Sequence, residues 1–270
     1  MTESKGHLSP GLPGVSLERF DVAAELSELV RHVWIARWDL PDGVKSEQRV
    51  LTYPAFNLVL SPGAVELYGP SPKLSLRKLS GSSWTVGLLL RPAAGTLLAP
   101  VAPAALLGSH VRINGPESTR ALADLTSAMN DRAPTPVLLE SLRSWLEPVA
   151  AGVTDVGRVV NRAFRLAEED EHIVRVEELA RRVGVSRRSL ERLTLGHVGV
   201  TPKWLIECRR LQEAASTLHH KPDTDLTRLA QTLGYVDYAH FSRSYKKVLG
   251  ETPDQTRTRA TERAQPAAPS

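Results

Sequence analysis

Apolar residues recur at helical spacing towards the C-terminal end of the chain, and the same pattern occurs twice. In residues 176–183 they fall at positions i, i+3, i+4 and i+7, which is one stripe of a short amphipathic helix. Gly184 follows, and glycine is the usual residue for the left-handed conformation that ends a helix. Ser186 can cap the next helix, because its hydroxyl accepts a hydrogen bond from an otherwise unpaired backbone N–H. Residues 226–249 repeat this order, with Asp237 as the cap.

The two copies share their closing residues as well as their pattern. The offset between them is 50 residues in the first half of each copy and 51 in the second, so the second turn contains one inserted residue. Each copy ends with Thr-Pro, at 201–202 and 252–253. A short helix, a tight turn and a cationic second helix form a helix-turn-helix, whose second helix enters the major groove of DNA. Two helix pairs in an ordinary bundle are the alternative, and the repeat argues against it.

The outer faces of the two second helices carry the candidate DNA contacts. These are Arg187, Arg188, Glu191 and Arg192 in the first copy, and Tyr238, Ala239, His240 and Arg243 in the second. Lys246 and Lys247 follow, and we expect these cations to bind backbone phosphates. Residues 203–218 predict a connecting helix that spans about 25 Å. With the width of each unit added, the recognition helices would lie about 34 Å apart, which is one turn of B-DNA.

The first part of the chain has the pattern of a β-rich domain. Short runs typical of strands cover residues 33–38, 49–53, 56–60, 65–68, 74–79 and 84–90. Breaks at residues 61–63, 69–70 and 81–82 separate them. Five or six such strands predict a small β-sandwich or partial barrel, most simply an antiparallel one. Residues 100–115 are rich in Ala, Pro and Gly and indicate a connecting stretch, and helices are predicted at 117–130, 137–146 and 154–169.

These patterns predict an α+β fold with a β-rich N-terminal domain, a helical connector and an all-α C-terminal domain with two helix-turn-helix units. The expected divisions are a disordered N-terminus over 1–16, the β-rich domain over 17–115 and the connector over 116–152. The DNA-binding domain would cover 153–259, and a disordered tail 260–270.

Two stretches carry a resemblance to a known family. "HVGVTPKWLIECRRLQEAA" and "LAQTLGYVDYAHFSRSYKKVLGETP" resemble the DNA-binding domain of the AraC/XylS family of bacterial transcription regulators. The resemblance implies a seven-helix double helix-turn-helix that binds double-stranded DNA and acts on transcription by RNA polymerase. By position, it implies base-facing residues at Arg188, Glu191, Arg192, Tyr238, Ala239 and Arg243. The chain departs from the family at residues 194–196, where aromatic and basic residues are usual.

In proteins of this family the N-terminal domain commonly senses a small molecule or forms a homodimer. Five polar or aromatic residues at strand positions or strand ends could line an effector pocket here: Tyr53, Asn57, Tyr68, Trp84 and Arg91. The alternative is an interaction module that binds a partner protein and no ligand. A well-formed apolar cavity with converging polar groups would favour sensing. An exposed apolar patch would favour a protein partner.

Composition agrees with a DNA-binding protein and gives no sign of an enzyme. Residues 175–259 contain 16 Lys/Arg and 10 Asp/Glu, a net charge of +6, whereas the whole chain carries +4. The single cysteine, Cys208, allows no intramolecular disulfide and fits a bacterial cytoplasm. No apolar run is long enough to span a membrane, and no phosphate loop, dinucleotide motif or nucleophile elbow is found. We therefore expect neither catalysis, cofactor nor metal site, and His219-His220 lacks partners at metal-ligand spacing.

Overall fold

The structure is a computed structural model that describes residues 14–50, 54–71, 75–98, 101–131 and 135–264. Its strands are β1 (Val15–Phe20), β2 (Val30–Asp39), β3 (Lys45–Val50), β4 (Asn57–Ser61), β5 (Ala64–Tyr68), β6 (Ser75–Ser80), β7 (Ser82–Leu90) and β8 (His110–Arg112). Its helices begin with α1 (Gly95–Leu98), α2 (Pro116–Asn130) and α3 (Thr135–Ala150). Seven more follow: α4 (Asp155–Glu169), α5 (Val176–Val183), α6 (Arg187–Val198), α7 (Pro202–His220), α8 (Leu226–Thr232), α9 (Tyr238–Leu249) and α10 (Pro253–Ala264).

Six strands form one antiparallel sheet in the order β1-β2-β7-β4-β5-β8, and β3 pairs separately with β6. The hairpin between β4 and β5 turns at Gly63, whose φ of 81° is the left-handed value that such a tight turn favours. Side chains alternate between the two faces of the sheet. The face that carries Ile35, Leu58 and Val86 is fully buried, and it belongs to the same apolar cluster as Leu125 of α2 and Leu138 of α3.

Two apolar clusters divide the molecule at an unexpected place. The larger one runs from the buried face of the sheet through α2 and α3 into α4, α5, α6 and the first part of α7, as far as Ile206. The smaller one begins at Leu211 and contains the rest of α7 with α8 and α9. The first helix-turn-helix unit therefore shares its core with the N-terminal domain, whereas the second has a core of its own.

Close contacts fix the first unit against the N-terminal domain. The buried Asn161 of α4 accepts a hydrogen bond from the backbone N–H of Ala93 at 3.0 Å and donates to the carbonyl of Glu28 at 2.8 Å. Arg31 of β2 forms an ion pair with Glu168 of α4. At the end of α6, a Cβ on Gly199 would lie 2.8 Å from Cα of Ala104. The backbones thus touch at a distance that only glycine allows.

The α+β organisation predicted from the sequence is confirmed, with three corrections. Strand β1 begins at Val15, inside the stretch 1–16 that was expected to be disordered, because it pairs with the free edge of β2. Strand β8 lies inside the predicted connecting stretch 100–115 and pairs with β5. Helix α10 continues to Ala264 and so extends past the expected boundary at 259.

Candidate nucleic-acid interface

The first helix-turn-helix unit consists of α5, a turn at Gly184, and α6. Gly184 has a φ of 83°, and this left-handed residue redirects the chain between the helices. The Oγ of Ser186 accepts a hydrogen bond from the backbone N–H of Ser189 at 3.1 Å and so caps α6. Leu190 and Val198 lie on the buried side of α6, which leaves the opposite face to solvent.

The solvent side of α6 divides into an ion-pair network and a cationic stripe. Arg187 donates to Glu177 at 2.6 Å and to Glu191 at 3.0 Å, so both predicted contacts on this side already have partners within the unit. Arg188 and Arg192 are exposed and lie one turn apart. Neither forms an ion pair or a hydrogen bond with its side chain in the described part of the chain. These two guanidinium groups are therefore free to bind an anion.

The second unit consists of α8, a turn at Gly234 with a φ of 74°, and α9. The carboxylate of Asp237 accepts a hydrogen bond from the backbone N–H of His240 at 2.7 Å and caps α9. Phe241 and Tyr245 are fully buried, with ring centroids 5.6 Å apart. Because these aromatic residues fix the inner side of α9, its outer side has a defined orientation.

The outer side of α9 is basic. Ala239, Arg243, Lys246 and Lys247 are all exposed. Tyr238 is only partly exposed, and its hydroxyl donates to Asp254 of α10 at 2.9 Å. Burial and this hydrogen bond raise the pKa of Tyr238, so the phenol stays protonated. The exposed ring of His240 meets Tyr235 edge-on at 5.3 Å.

Helix α7 connects the two units without a break. It starts after Thr201, whose Oγ1 accepts a hydrogen bond from the backbone N–H of Trp204 at 3.2 Å. Its 19 residues correspond to about 28 Å of helix. Leu205 packs in the first apolar cluster and Leu218 in the second. The guanidinium of Arg210 lies 3.9 Å from the ring centroid of Tyr235, which ties α7 to the second unit.

The candidate ligand residues do not form one group. Asn57 and Tyr68 lie opposite each other on β4 and β5, on the face of the sheet away from the core. Trp84 lies on the other, buried face, which it shares with Val86 and Leu88 at every second position of β7, so it cannot line the same pocket. Arg91 follows β7 and donates from Nε to the carbonyl of Ser27 at 3.2 Å. Tyr53 lies outside the described residues.

Side chains that the sequence did not single out complete the open face. Trp34 donates from Nε1 to Oδ1 of Asn57 at 3.1 Å and lies over Gly87, where any side chain would collide with its ring. Tyr68 stacks on His110 with centroids 4.8 Å apart, and Arg77 lies 4.6 Å from the centre of the Tyr68 ring. The local sequence pattern could not predict the pairing of β7 with β2, which brings Gly87 opposite Trp34.

The described residues show no sign of a metal centre or of a membrane-spanning helix. They contain no group of three or more His, Cys, Asp or Glu side chains arranged to hold a metal ion. They also contain no helix with both the length and the apolar character needed to cross a membrane.

Comparison with known proteins gave two matches to family models. Residues 179–259 match a helix-turn-helix domain, and residues 18–112 match a domain of unknown function (DUF6597). The probable transcription factor PqrA of Proteus vulgaris is 31% identical over 88 residues, which cover 33% of this chain and 71% of PqrA. This chain belongs to the AraC/XylS family of transcription regulators. The family consists of DNA-binding regulators and not of enzymes.

A curated activator and a solved structure are also similar to part of this chain. The transcriptional activator RhaS of Escherichia fergusonii is 33% identical over 81 residues, which cover 30% of this chain and 29% of RhaS. The chain thus matches under a third of the length of that curated relative. The solved structure of an AraC-type regulator from Chromobacterium violaceum is 30% identical and covers 41% of this chain and 96% of its own, with a TM-score of 0.36.

Proposed function

We propose that this AraC/XylS-type regulator reads two successive major grooves of one DNA duplex, with α6 in one groove and α9 in the next. The observation that carries this proposal is α7, a single continuous helix whose two ends belong to the cores of the two units. A rigid connector of about 28 Å, with the width of each unit added, suits half-sites about one helical turn apart.

The exposed side chains support two kinds of DNA contact, one to base edges and one to backbone phosphates. Arg188 and Arg192 of α6 and Arg243 of α9 form no ion pair in the described part of the chain, and each could donate two hydrogen bonds to a guanine edge. Lys246 and Lys247, in the last turn of α9, would bind phosphates and supply affinity that is independent of sequence. Glu191 could contact a base only if its ion pair with Arg187 broke, and Tyr238 only if its hydrogen bond to Asp254 broke.

The spacing of the two half-sites tests this proposal. A binding site would first be selected from a random DNA library, and then five base pairs would be inserted between its halves. Because a turn of DNA is about ten base pairs, this rotates one half-site to the opposite face. Affinity should fall towards that of one unit, and an insertion of ten base pairs should restore the phase as a control. Unchanged affinity on the five-base-pair site would reject the bipartite proposal while leaving DNA binding intact.

We further propose that the N-terminal domain controls the regulator through a small molecule, that the protein works in a bacterial cytoplasm, and that it acts on RNA polymerase. The core shared by the sheet and the first unit supports this control, because a conformational change in the sheet would be transmitted through packed side chains to α4 and α6. Titration of the effector while DNA affinity is measured would test it. An effector that binds without any change in DNA affinity would contradict it.

A second role for the N-terminal domain is favoured by a groove between α2 and α3. This groove is open to solvent, has a volume of about 660 Å³, and is lined by charged residues together with Val137 and Trp145. Val137 is half exposed, and Glu117, Arg120 and Glu140 surround it with both signs of charge. Such a surface suits a protein partner, including a second copy of this chain. Replacing Val137 by Asp should turn a dimer into a monomer in light scattering, and a wild-type chain that is already monomeric would contradict homodimerisation.

A further inference from the structure

Basic side chains converge at one end of the six-stranded sheet, beside α4. Strand register places Arg19 of β1 diagonally across from His32 of β2, and His32 directly opposite Leu89 of β7. Such diagonal neighbours on one face lie about 7–8 Å apart. Arg91 follows Leu89 by two residues in extended backbone, so its side chain lies on the same side of the sheet.

A bulge adds another arginine to this group. The register of β2 against β7 shifts between Val30 and His32. As a result the consecutive residues Arg31 and His32 both turn away from the core, while Val30 and Val33 on either side of them are buried. Bulges commonly redirect side chains in this way at functional positions.

Among the described residues, positive charge exceeds negative charge where these side chains meet α4. The basic members are Arg19, Arg31, Arg91 and, on the exposed side of α4, Arg165, and the facing carboxylates are Glu28 and Glu168. Glu168 is held by Arg31, and Glu28 accepts a hydrogen bond from Asn161 at 2.9 Å. Within the described ranges, no carboxylate lies at ion-pair distance from Arg91 or Arg165.

The local electrostatics show repulsion between these cations. Burial, and then the charges of Arg19, Arg31 and Arg91, lower the pKa of His32 to about 4, so its imidazole is neutral at pH 7 and can donate one hydrogen bond. Burial and the neighbouring Arg31 and Arg165 also lower the pKa of Arg91. A bound anion would relieve this repulsion, which a partly buried position makes stronger than at an open surface.

We propose that the cluster of Arg19, Arg31, His32, Arg91 and Arg165 is a binding site for an oxyanion, the carboxylate or phosphate group of a small molecule. A guanidinium presents paired donors that match two oxygens of either group. Arg91 donates from Nε to the carbonyl of Ser27, and its two terminal nitrogens have no hydrogen-bond partner among the described residues, so they remain for a ligand. Leu89 and Trp34 provide apolar surface on the same face for the body of the molecule.

This inference deepens the proposed small-molecule control and rests on it, since it names the chemistry of the effector and where the effector acts. The cluster joins the two parts of the protein, because Arg31 belongs to the sheet and Arg165 and Glu168 belong to α4. An oxyanion held between Arg91 and Arg165 would therefore bridge the N-terminal domain and the first helix of the DNA-binding part.

Thermal unfolding of the full chain in different anions tests the site. Sodium phosphate and sodium benzoate would be compared with sodium chloride at equal ionic strength, so that each oxyanion chemistry has its own arm. Binding well above the dissociation constant should raise Tm by about 2–4 °C in at least one arm. Arg91→Gln and Arg165→Gln should each lose most of this rise. Arg228→Gln, which removes an exposed arginine from α8, should keep it and serves as the matched control.

The results separate this inference from the broader proposal. If Arg91→Gln does not fold, Arg165→Gln decides, because Arg165 is exposed and has no ion pair to lose in the described structure. Equal Tm values in all three salts, or a rise that survives Arg165→Gln, would overturn the oxyanion site. DNA affinity would be measured on the same samples. Sequence-specific binding without any oxyanion effect refutes the site alone, whereas a wild-type chain without such binding refutes the proposed function.

Discussion

Replacing Gly199 by Ala should destabilise the protein more than the same change at two comparable glycines. Gly199 ends α6 with a φ of 78°, where an L-residue is strained by about 1–2 kcal/mol. The added Cβ would also lie 2.8 Å from Cα and 2.9 Å from the nitrogen of Ala104. Because these are backbone atoms, they cannot rotate away, and overpacking of this kind costs about 1–3 kcal/mol. The free energy of unfolding should therefore fall by about 2–5 kcal/mol.

Gly184 and Gly250 are matched controls for the backbone strain. Each follows a helix in the left-handed conformation, with φ of 83° and 75°, and a Cβ on either would have no other atom within 4 Å. Alanine at these positions should lower the free energy of unfolding by only about 1–2 kcal/mol. The difference between Gly199→Ala and the controls isolates the contact between α6 and the turn at Pro103–Leu106.

Thermal unfolding followed by circular dichroism is a suitable assay. For a chain of this size, 1 kcal/mol corresponds to about 2–4 °C in Tm, so the excess at Gly199 is measurable. Limited proteolysis gives a second readout, since separation of α6 from its neighbour should expose the backbone near Ala104. If Gly199→Ala loses no more stability than Gly184→Ala, the first recognition helix does not pack on the N-terminal domain as described.

Four further predictions concern DNA binding, folding and pH. Arg192→Ala or Arg243→Ala should cost about 1–3 kcal/mol at the cognate site and relax base preference; equal losses on random DNA in a gel-shift titration would contradict base contact. Lys247→Ala should weaken binding to all sequences and reduce its salt dependence, and an unchanged salt slope would argue against a phosphate contact. A fragment of residues 153–264 should fold alone and bind DNA, although it exposes the face of α4 that meets Ala93; a random-coil dichroism spectrum would disprove this. Folding lowers the pKa of His32 from an ordinary 6.5 to about 4, so the unfolded chain takes up this proton at a higher pH than the folded chain; the free energy of unfolding should therefore decrease as the pH falls from about 6.5 to about 4. His32→Gln should flatten that limb of the stability profile, and an unaltered limb would exclude this cause.

Local chemistry explains why the helical repeat could be predicted from the sequence. A helix needs only hydrogen bonds between residues four apart, a cap and an end. The stripe over 176–183 predicted α5 at Val176–Val183, and the expected caps Ser186 and Asp237 both accept hydrogen bonds at the start of α6 and α9. The outward position of Arg192 and Arg243 follows from the same period, because the apolar stripe fixes which side of each helix is buried.

The structure of the N-terminal domain was harder to predict from the sequence, because sheet pairing joins residues far apart in the chain. Strand β8 has three residues, too few for a recognisable alternation, and it becomes a strand only by pairing with β5. The side of Trp84 depends on the register of β7 against β2, since a shift of one residue would move every side chain to the other face.

Only the tertiary structure decided how the two domains meet. The sequence determined two similar helix-turn-helix units and the positions of their basic residues. The sequence could not indicate that the first helix-turn-helix unit shares a core with the sheet whereas the second unit has its own core. The sequence also could not predict that Arg19, Arg91 and Arg165 lie close together, because three elements separated by many residues must first pack against one another. Contacts of that range are set by the shape and burial of whole elements and leave no local period in the sequence.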